Sequence, residues 1–320
     1  MTSRITLDLV ADGAIRLALD RSLYSLAERW IPQGLSEPRD VSARATISVR
    51  ASRASLRRPT EPATLALDRV AAWVDQGRAT AVLRGAAPSS GGLLSFAAGR
   101  GRMQVDSAEG AQEAARDLYS MLTISAALLL ARLERALVHA AAVVAPDGHA
   151  WLLAGDARSG KSTTCATLAA AGWGYVSDDQ VVLAAREDGV EVEGWLRPFH
   201  LDRNGEGGEP TGERREVAPA ELGLAGWRRT ARLAGVILPS VAAREATVLT
   251  PVPPAAALAA LVRQSPWLLA CRAAAPAVLA LLGRAVERGA FSLRLGRDTY
   301  RNPARLAACL GALEARAAAC

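Results

Sequence analysis

The pattern of apolar and polar positions changes along this chain of 320 residues. Over residues 1–105 apolar side chains alternate with polar ones, most clearly in residues 4–9 and 44–50. A period of two is typical of half-buried strands, and turns rich in glycine and proline separate these runs. The pattern predicts a smaller β-rich N-terminal region over residues 1–105, in which residues 65–74 form either a strand or a short helix.

A helical period replaces this alternation after residue 105. Apolar positions from Ala111 to Leu137 recur at the spacing of one helix face, and Asp106 or Ser107 is a suitable N-cap. We therefore expect a connecting helix over residues 106–137. Residues 138–320 alternate short apolar runs with amphipathic segments, which predicts a mixed α/β domain.

This third part begins with two apolar runs around a tight turn. Residues 138–144 and 150–154 flank Pro146-Asp147-Gly148, which predicts a β-hairpin. The second strand leads into residues 155–162, which fit the pattern G-x-x-x-x-G-K-[ST], and a helical segment follows directly. Strand, loop and helix come in the order that a phosphate-binding loop requires.

Each part of such a loop has a physical reason to hold phosphate. Successive backbone N–H groups point at the phosphate oxygens, and the N-terminus of the following helix adds a positive dipole end. Lys161 can reach the phosphates, and the Ser162 hydroxyl can ligate Mg²⁺. The candidate nucleotide-binding residues are Gly155, Asp156, Ala157, Arg158, Ser159, Gly160, Lys161, Ser162 and Thr163.

Two adjacent carboxylates, Asp178 and Asp179, follow the helix of the loop within a run of strand character. Beside a phosphate loop, one carboxylate can help to hold Mg²⁺ while the other faces an attacking hydroxyl. His139 stands near the start of the strand that precedes the loop. It is either an ordinary histidine at a strand end or a member of the same site.

Two later features leave alternatives open. Residues 202–216 contain almost nothing apolar, which predicts a loop that either closes over a substrate or is a solvated insertion. A cation that completes the site would come from the C-terminal part of the chain. The candidates for it are Arg197, Arg294 and Arg297.

Composition narrows the class of protein. Hydrophobic residues make up 50% of the chain and charged residues 22%, which is typical of a globular protein. Lys and Arg outnumber Asp and Glu by 38 to 32, but the arginines are spread along the chain without aromatic clusters, so no nucleic-acid partner is expected. The four cysteines lack C-x-x-C spacing, which predicts a reduced, cytoplasmic protein. The most apolar run, residues 122–131, is about half the length of a membrane span, so no membrane association is expected.

Taken together, His139, the loop at residues 155–162 and the Asp178-Asp179 pair resemble the core of the HPr kinase/phosphorylase family. His139 precedes Lys161 by 22 residues, and the two aspartates follow Lys161 by 17 and 18 residues, as in that family. The resemblance covers roughly residues 135–200. It implies a PEP-carboxykinase-like P-loop domain that uses ATP, or another nucleoside triphosphate, with Mg²⁺.

The resemblance also implies a role for each matched residue. Lys161 neutralises the phosphates, Asp179 accepts the proton of the substrate serine, and His139 belongs to the active site. Where the family carries an E-I-R-G signature, this chain has Glu191-Val192-Glu193-Gly194. The implied metal ligands are Ser162, Asp178 and Glu191.

The chain also differs from the family within the loop, where Arg158 replaces a usual glycine and Thr163 replaces a usual acid. It is closer to the HPr-kinase-related proteins that lack the full signature, some of which phosphorylate a lasso-peptide precursor. The expected function is an ATP-dependent kinase for a serine of a peptide or small protein, with a homo-oligomer as in hexameric relatives. The alternatives are a kinase for a small metabolite and a non-catalytic nucleotide-binding regulator.

Overall fold

The computed structural model of the protein describes residues 4–28, 31–32, 34–52, 54, 57–67, 69–105, 111–204, 210–224, 226–242 and 246–317. The chain divides into two compact units. The N-terminal unit comprises Met1–Arg135 with Pro266–Val278, and the other unit comprises Ala136–Ser265 with Leu279–Cys320. The second unit is called the P-loop unit here only after the sequence motif at residues 155–162. Both units contain strands and helices, so the protein is of the mixed α/β type.

The N-terminal unit is built on one eight-stranded sheet with the order β1-β2-β3-β8-β7-β6-β5-β4. Side chains alternate between the two faces of each strand, and helix α2 packs against β3, β5, β7 and β8. The described residues of this region are rich in strands, as predicted, and residues 65–67 and 70–75 form strands. The elements are β1 (Arg4–Asp8), β2 (Ile15–Asp20), α1 (Tyr24–Ala27), β3 (Ala45–Ala51), β4 (Leu65–Leu67), β5 (Val70–Asp75), β6 (Thr80–Arg84), β7 (Gly91–Ser95), β8 (Arg100–Val105) and α2 (Ala111–Arg132).

Helix α2 ends five residues earlier than the sequence predicts. The Arg135 N–H donates to the Leu130 carbonyl, and Glu134 adopts a left-handed φ of 57°. This hydrogen-bond pattern is that of a Schellman C-terminus, which stops the helix before the next strand begins. The expected helix through Leu137 was therefore wrong at its C-terminal end. The proposed N-caps, Asp106 and Ser107, lie outside the described residues.

The P-loop unit has a larger mixed sheet, with helices that include α3 and α7 packed against each other. The predicted order of strand, loop and helix is confirmed here. The strands are β9 (Ala136–His139), β10 (Ala141–Val144), β11 (His149–Leu153), β12 (Gly174–Ser177), β13 (Gln180–Arg186), β14 (Gly189–Gly194), β15 (Phe199–Asn204), β16 (Pro210–Val217), β17 (Thr230–Val241), β18 (Val248–Pro251) and β19 (Ala290–Leu295). The helices from this point of the chain onward are α3 (Lys161–Ala170), α4 (Pro254–Arg263), α5 (Ala275–Glu287), α6 (Arg297–Arg301) and α7 (Pro303–Ala317).

The main path of this sheet runs β12-β10-β11-β17-β14-β13-β9, and its two ends meet. One residue separates β9 from β10, and two separate β12 from β13. His139 pairs with Gln180, and Ala142 pairs with Ser177, in one antiparallel register. Strands β9 and β10 together thus run along β12 and β13, and the strands form a closed ring. The pairing is interrupted where the two aspartates stand.

The predicted loop over residues 202–216 is largely a β-hairpin. Strands β15 and β16 pair antiparallel from Phe199 opposite Val217 to Asn204 opposite Pro210. Phe199 and Val217 are both buried at the base of the hairpin. The prediction of a loop was wrong because backbone hydrogen bonds hold this pair, while its polar sequence gives no strand pattern. Its tip, residues 205–209, lies outside the described residues.

The core of the P-loop unit lies between the strands and helices α3 and α7. It includes the buried aromatic side chains of Trp151, Tyr175 and Phe199, with Tyr175 and Phe199 at a ring-centroid distance of 5.5 Å. Leu168 of α3 and Leu306 of α7 pack into the same cluster. Burying each such side chain contributes about 1.5–3 kcal/mol, so the helix after the loop is firmly anchored. Over the described ranges, no helix combines the length and the apolar character needed to cross a membrane.

Candidate active site

The phosphate loop joins the end of β11 to the start of α3. Gly160, just before the helix, adopts a left-handed φ of 99°, and a Cβ there would lie 2.6 Å from Leu295 Cδ1. Glycine is therefore needed at this position for both backbone conformation and space. Arg158 also has a positive φ, 64°, which favours glycine. The loop thus keeps its curved backbone at the position where the chain differs from the family.

Lys161 is the buried centre of this loop. Lys161 is the first residue of α3, and only 7% of it is exposed. The ammonium Nζ donates to the carbonyl oxygens of Gly155 at 2.8 Å and Asp156 at 3.1 Å. These bonds tie the start of the loop to the lysine at its end. A bound phosphate would meet an ammonium already placed inside the curve of the loop.

Asp178 is buried beside the loop, with 4% of the residue exposed. The His200 N–H donates to its Oδ2 at 3.2 Å, and the Ser162 side chain also hydrogen-bonds to the carboxyl group. Its Oδ1 is buried and has no hydrogen-bond partner among the described residues. Burial raises the pKa of Asp178 to about 8, although the bonds from His200 and Ser162 act in the opposite direction.

This carboxyl group and the Ser162 hydroxyl together fit a divalent cation. Both supply oxygen, which Mg²⁺ prefers, and Mg²⁺ in proteins is commonly held by one or two carboxylates together with substrate phosphates. The Lys161 ammonium already lowers the pKa of Asp178, which nevertheless stays at about 8, so a further cation is needed for this acid to ionise at neutral pH. The unused Oδ1 of Asp178 is the observation that supports the fit. Ser162 and Asp178 are therefore the residues that would hold Mg²⁺.

Asp179 contacts the histidine that the motif spacing singled out. His139 Nδ1 lies 3.0 Å from Asp179 Oδ1, and the two side chains are 39% and 18% exposed. The contact follows from the register, because His139 pairs with Gln180, the first residue of β13, and Asp179 directly precedes Gln180 in the chain. His139 and Asp179 are thus partly exposed to solvent, whereas the neighbouring Asp178 is buried. The two adjacent carboxylates therefore occupy different environments.

Ser177 holds the interruption between β12 and β13. Its Oγ accepts hydrogen bonds from the N–H groups of Asp179 at 3.4 Å and Gln180 at 3.3 Å, and donates to the Trp195 carbonyl at 3.0 Å. Backbone groups that would otherwise lack a strand partner are satisfied in this way. The sequence analysis missed Ser177, although a serine directly before an Asp-Asp pair is a common turn residue.

Gln264, at the end of α4, is a second residue that the sequence analysis missed. Its backbone carbonyl accepts from the His139 N–H at 2.9 Å, and its side-chain Nε2 donates to Asp156 Oδ1 at 3.2 Å. The residue is 8% exposed. Gln264 therefore connects the strand of His139 to the phosphate loop. No local pattern could have identified it, because Asp156 is more than a hundred residues away in the sequence.

Glu191 is not brought to this group of residues. It stands on β14 opposite Ala184 and forms an ion pair with Arg186. Ala184 is six residues beyond Asp178, a distance of about 20 Å along a strand. Its position gives the expected metal role no support.

The candidate arginines differ in burial. Arg197 is 5% exposed and lies three residues before His200, whose N–H donates to Asp178. Arg294 and Arg297 are exposed. Because it stands close in sequence to a residue that contacts Asp178, Arg197 is the stronger candidate of the three.

No protein-family model matches the sequence, and no curated protein is similar enough to count as a relative. Among solved structures, the chain is similar to the Hpr(Ser) kinase/phosphatase from Coxiella burnetii. The sequence identity is 14%, the match covers 56% of this chain and 91% of that chain, and the TM-score is 0.34. That protein is a distant structural neighbour of this chain.

Proposed function

We propose that the P-loop unit is an ATP-dependent kinase that transfers a phosphoryl group to the serine hydroxyl of a peptide or small protein. The observation that carries this proposal is the pair of adjacent carboxyls beside the phosphate loop. Asp178 is buried against Ser162 with one oxygen unused, and Asp179 is partly exposed against His139. One acid suits a metal ion and the other suits a proton transfer.

In the proposed reaction, the oxygen of the acceptor hydroxyl attacks the terminal phosphorus of the nucleoside triphosphate. The bond from that phosphorus to the bridging oxygen breaks, and a nucleoside diphosphate leaves. Asp179 accepts the proton of the hydroxyl as the new oxygen–phosphorus bond forms. His139, at 3.0 Å from Asp179, orients the carboxylate for this transfer.

The phosphate loop stabilises the charge of the transferred group. Lys161 and the loop N–H groups would contact the phosphates, and preorganised donors of this kind are usually the largest contribution to such catalysis. Bound Mg²⁺, held by Ser162 and Asp178, would neutralise part of the phosphate charge. The PEP-carboxykinase-like character of the unit is part of the same proposal, which follows the resemblance in motif spacing.

The decisive experiment offers the purified full-length protein Mg²⁺, radiolabelled ATP and a library of serine-containing peptides. Asp179→Asn should lower the rate of phosphoryl transfer by about 10²–10⁴-fold, because the amide cannot accept the hydroxyl proton. Binding of a fluorescent ATP analogue should change little. Asp147→Asn is the matched control, since it disrupts the contact between Asp147 and His149 elsewhere in the same unit and should leave transfer unchanged.

Two outcomes would contradict the proposal. Equal turnover by wild type and Asp179→Asn would remove Asp179 from the role of base. Unchanged ATP affinity in Lys161→Ala would show that the loop does not cradle phosphate. Transfer to hydroxylated metabolites but to no peptide would instead favour the small-metabolite kinase.

A further inference from the structure

Four arginines that are scattered in the sequence meet on one face of the N-terminal sheet. Arg44 and Arg50 flank the polar positions of β3, and Arg100 and Arg102 stand on the neighbouring strand β8. All four are exposed, while the alternate residues of both strands, such as Ile47, Val49 and Met103, are buried on the opposite face. Neighbouring strands lie about 4.8 Å apart and alternate residues about 7 Å apart, so the four arginines form one row in which each Cα atom lies within about 9 Å of the next.

None of these four arginines has an ion-pair partner within the parts of the chain that the structure describes. The acids of the adjoining strands are already used, because Asp8 pairs with Arg16 at 3.1 Å and Asp20 with Arg4 at 3.5 Å. Like charges placed side by side on a sheet destabilise it. An unneutralised cluster of this kind is the expected cost of a surface that binds an anionic partner.

The cluster lines a groove with a volume of about 410 Å³. From Arg44 to Arg50 it extends over about 20 Å of strand, the length of six extended residues. Thr46 and Ser48 supply hydroxyl groups along its floor. Next to Arg102, in the same row across the sheet, Leu93 is 62% exposed and adds an apolar margin.

We infer that this arginine face binds an acidic, extended peptide segment that also carries an apolar side chain. Arginine recognises carboxylates through paired N–H donors, and an extended segment can present one carboxylate to each cation. Single-stranded nucleic acid fits less well, because it needs aromatic rings on which bases stack and none of the described residues that line the groove is aromatic. Trp73, in the same row beyond Leu93, already has Arg58 over its ring at 5.6 Å.

The test uses the full-length protein without nucleotide, so its failure is independent of the proposed kinase activity. The probe is a fluorescein-labelled peptide, Glu-Glu-Leu-Glu-Glu-Leu-Glu-Glu, followed by fluorescence anisotropy at low and high salt. The same peptide with glutamine in place of glutamate is the uncharged control, and an eight-nucleotide oligothymidylate is the nucleic-acid comparison. The acidic peptide should bind, more weakly at high salt, and the glutamine peptide should not.

Arg100→Gln combined with Arg102→Gln should weaken binding of the acidic peptide by about tenfold. Arg44→Gln with Arg50→Gln tests the other end of the groove and should act in the same direction. Arg228→Gln with Arg272→Gln removes two exposed arginines outside the groove and serves as the charge-matched control. Unchanged binding in both groove variants, equal loss in the control, or tighter binding of oligothymidylate would each overturn the inference. Thermal melts of all variants confirm that they are folded.

Discussion

Each unit of the protein contains a buried aspartate, and the hydrogen bonding of the two carboxyl groups differs. In the N-terminal unit, Asp117 is fully buried and accepts from Arg69 Nε at 2.8 Å and the Ala87 N–H at 2.9 Å, with Ser90 also bonded to it. In the P-loop unit, Asp178 has one buried oxygen without a partner among the described residues. Burial raises the pKa of Asp178 to about 8.

Under the proposed function, Asp117 supports the fold and Asp178 would hold a ligand. Buried polar groups in proteins are almost always hydrogen-bonded, so a remaining unpaired oxygen calls for an explanation. Perturbed pKa values also concentrate at functional sites, because burial and neighbouring charges there adjust acids and bases to their task. The following predictions test this contrast, from the largest expected effect to the smallest.

Asp178→Asn should reduce phosphoryl transfer by about 10²–10³-fold, since a neutral amide replaces a carboxylate at the proposed metal position. The variant should remain folded. Steady-state rates at saturating ATP, measured over a range of Mg²⁺ concentrations, check the prediction. If Asp178→Asn unfolds the protein but leaves the rate per folded molecule unchanged, Asp178 supports the fold and not phosphoryl transfer.

Asp117→Asn should destabilise the protein by about 3 kcal/mol, because it breaks a buried ion pair and leaves donors of Arg69 and Ala87 poorly satisfied. Transfer activity of the folded fraction should be unchanged. Urea unfolding followed by circular dichroism measures the first quantity, and rates corrected for the folded fraction measure the second. Full stability in this variant would show that its hydrogen bonds do not support the fold.

The stability of the protein without Mg²⁺ or nucleotide should fall as the pH rises from about 5 to 8. The raised pKa of Asp178 means that the folded state retains a proton that the unfolded chain releases above its ordinary value of 3.8. The stability that this proton confers is complete below that ordinary value and is lost as the pH rises through about 8. We expect a loss of about 3–4 kcal/mol over this range, measured by urea unfolding at several pH values.

In Asp178→Asn the loss with pH should largely disappear, and at pH 8 the variant should be more stable than the wild type. A wild-type profile that rises with pH over this window would contradict the assignment of the raised pKa to Asp178. Asp117→Asn serves as the control for a buried aspartate elsewhere, and it should keep the wild-type slope.

Gln264→Leu should weaken ATP binding by about fivefold, since it removes one hydrogen bond to Asp156 while the backbone bond to His139 remains. A double-mutant cycle with Asp156→Ala measures the coupling between the two side chains. If the two substitutions have additive effects on ATP affinity, the side chains of Gln264 and Asp156 do not act together. Arg263→Leu, one residue earlier on α4, controls for a general change in that helix.

The phosphate loop could be predicted from the sequence because its signal is local. Strand, glycines, lysine and helix lie within a short segment, and each local choice agrees with the next. The contact between His139 and Asp179 was within reach because the motif spacing pointed to both residues. The contact between Gln264 and Asp156 could not be predicted, because only the tertiary fold brings these two residues together.

Two errors in the fold have a common physical origin. The apolar run through Leu137 continues a helix pattern, but α2 and β9 are both buried and so give the same apolar signal. Hairpin β15–β16 shows the converse, because its polar sequence hides a pair of strands held by backbone bonds. The arginine face was also invisible, since register brings together residues about fifty positions apart.

The interruption between β12 and β13 has a consequence for how the protein folds. The chain leaves the long strand pair after β10, forms β11, the phosphate loop and helix α3, and returns to the pair with β12. Closing an excursion of about 30 residues costs little more conformational entropy than closing one half as long. We therefore expect the histidine, the loop and both aspartates to assemble early, as one local event that precedes closure of the strand ring.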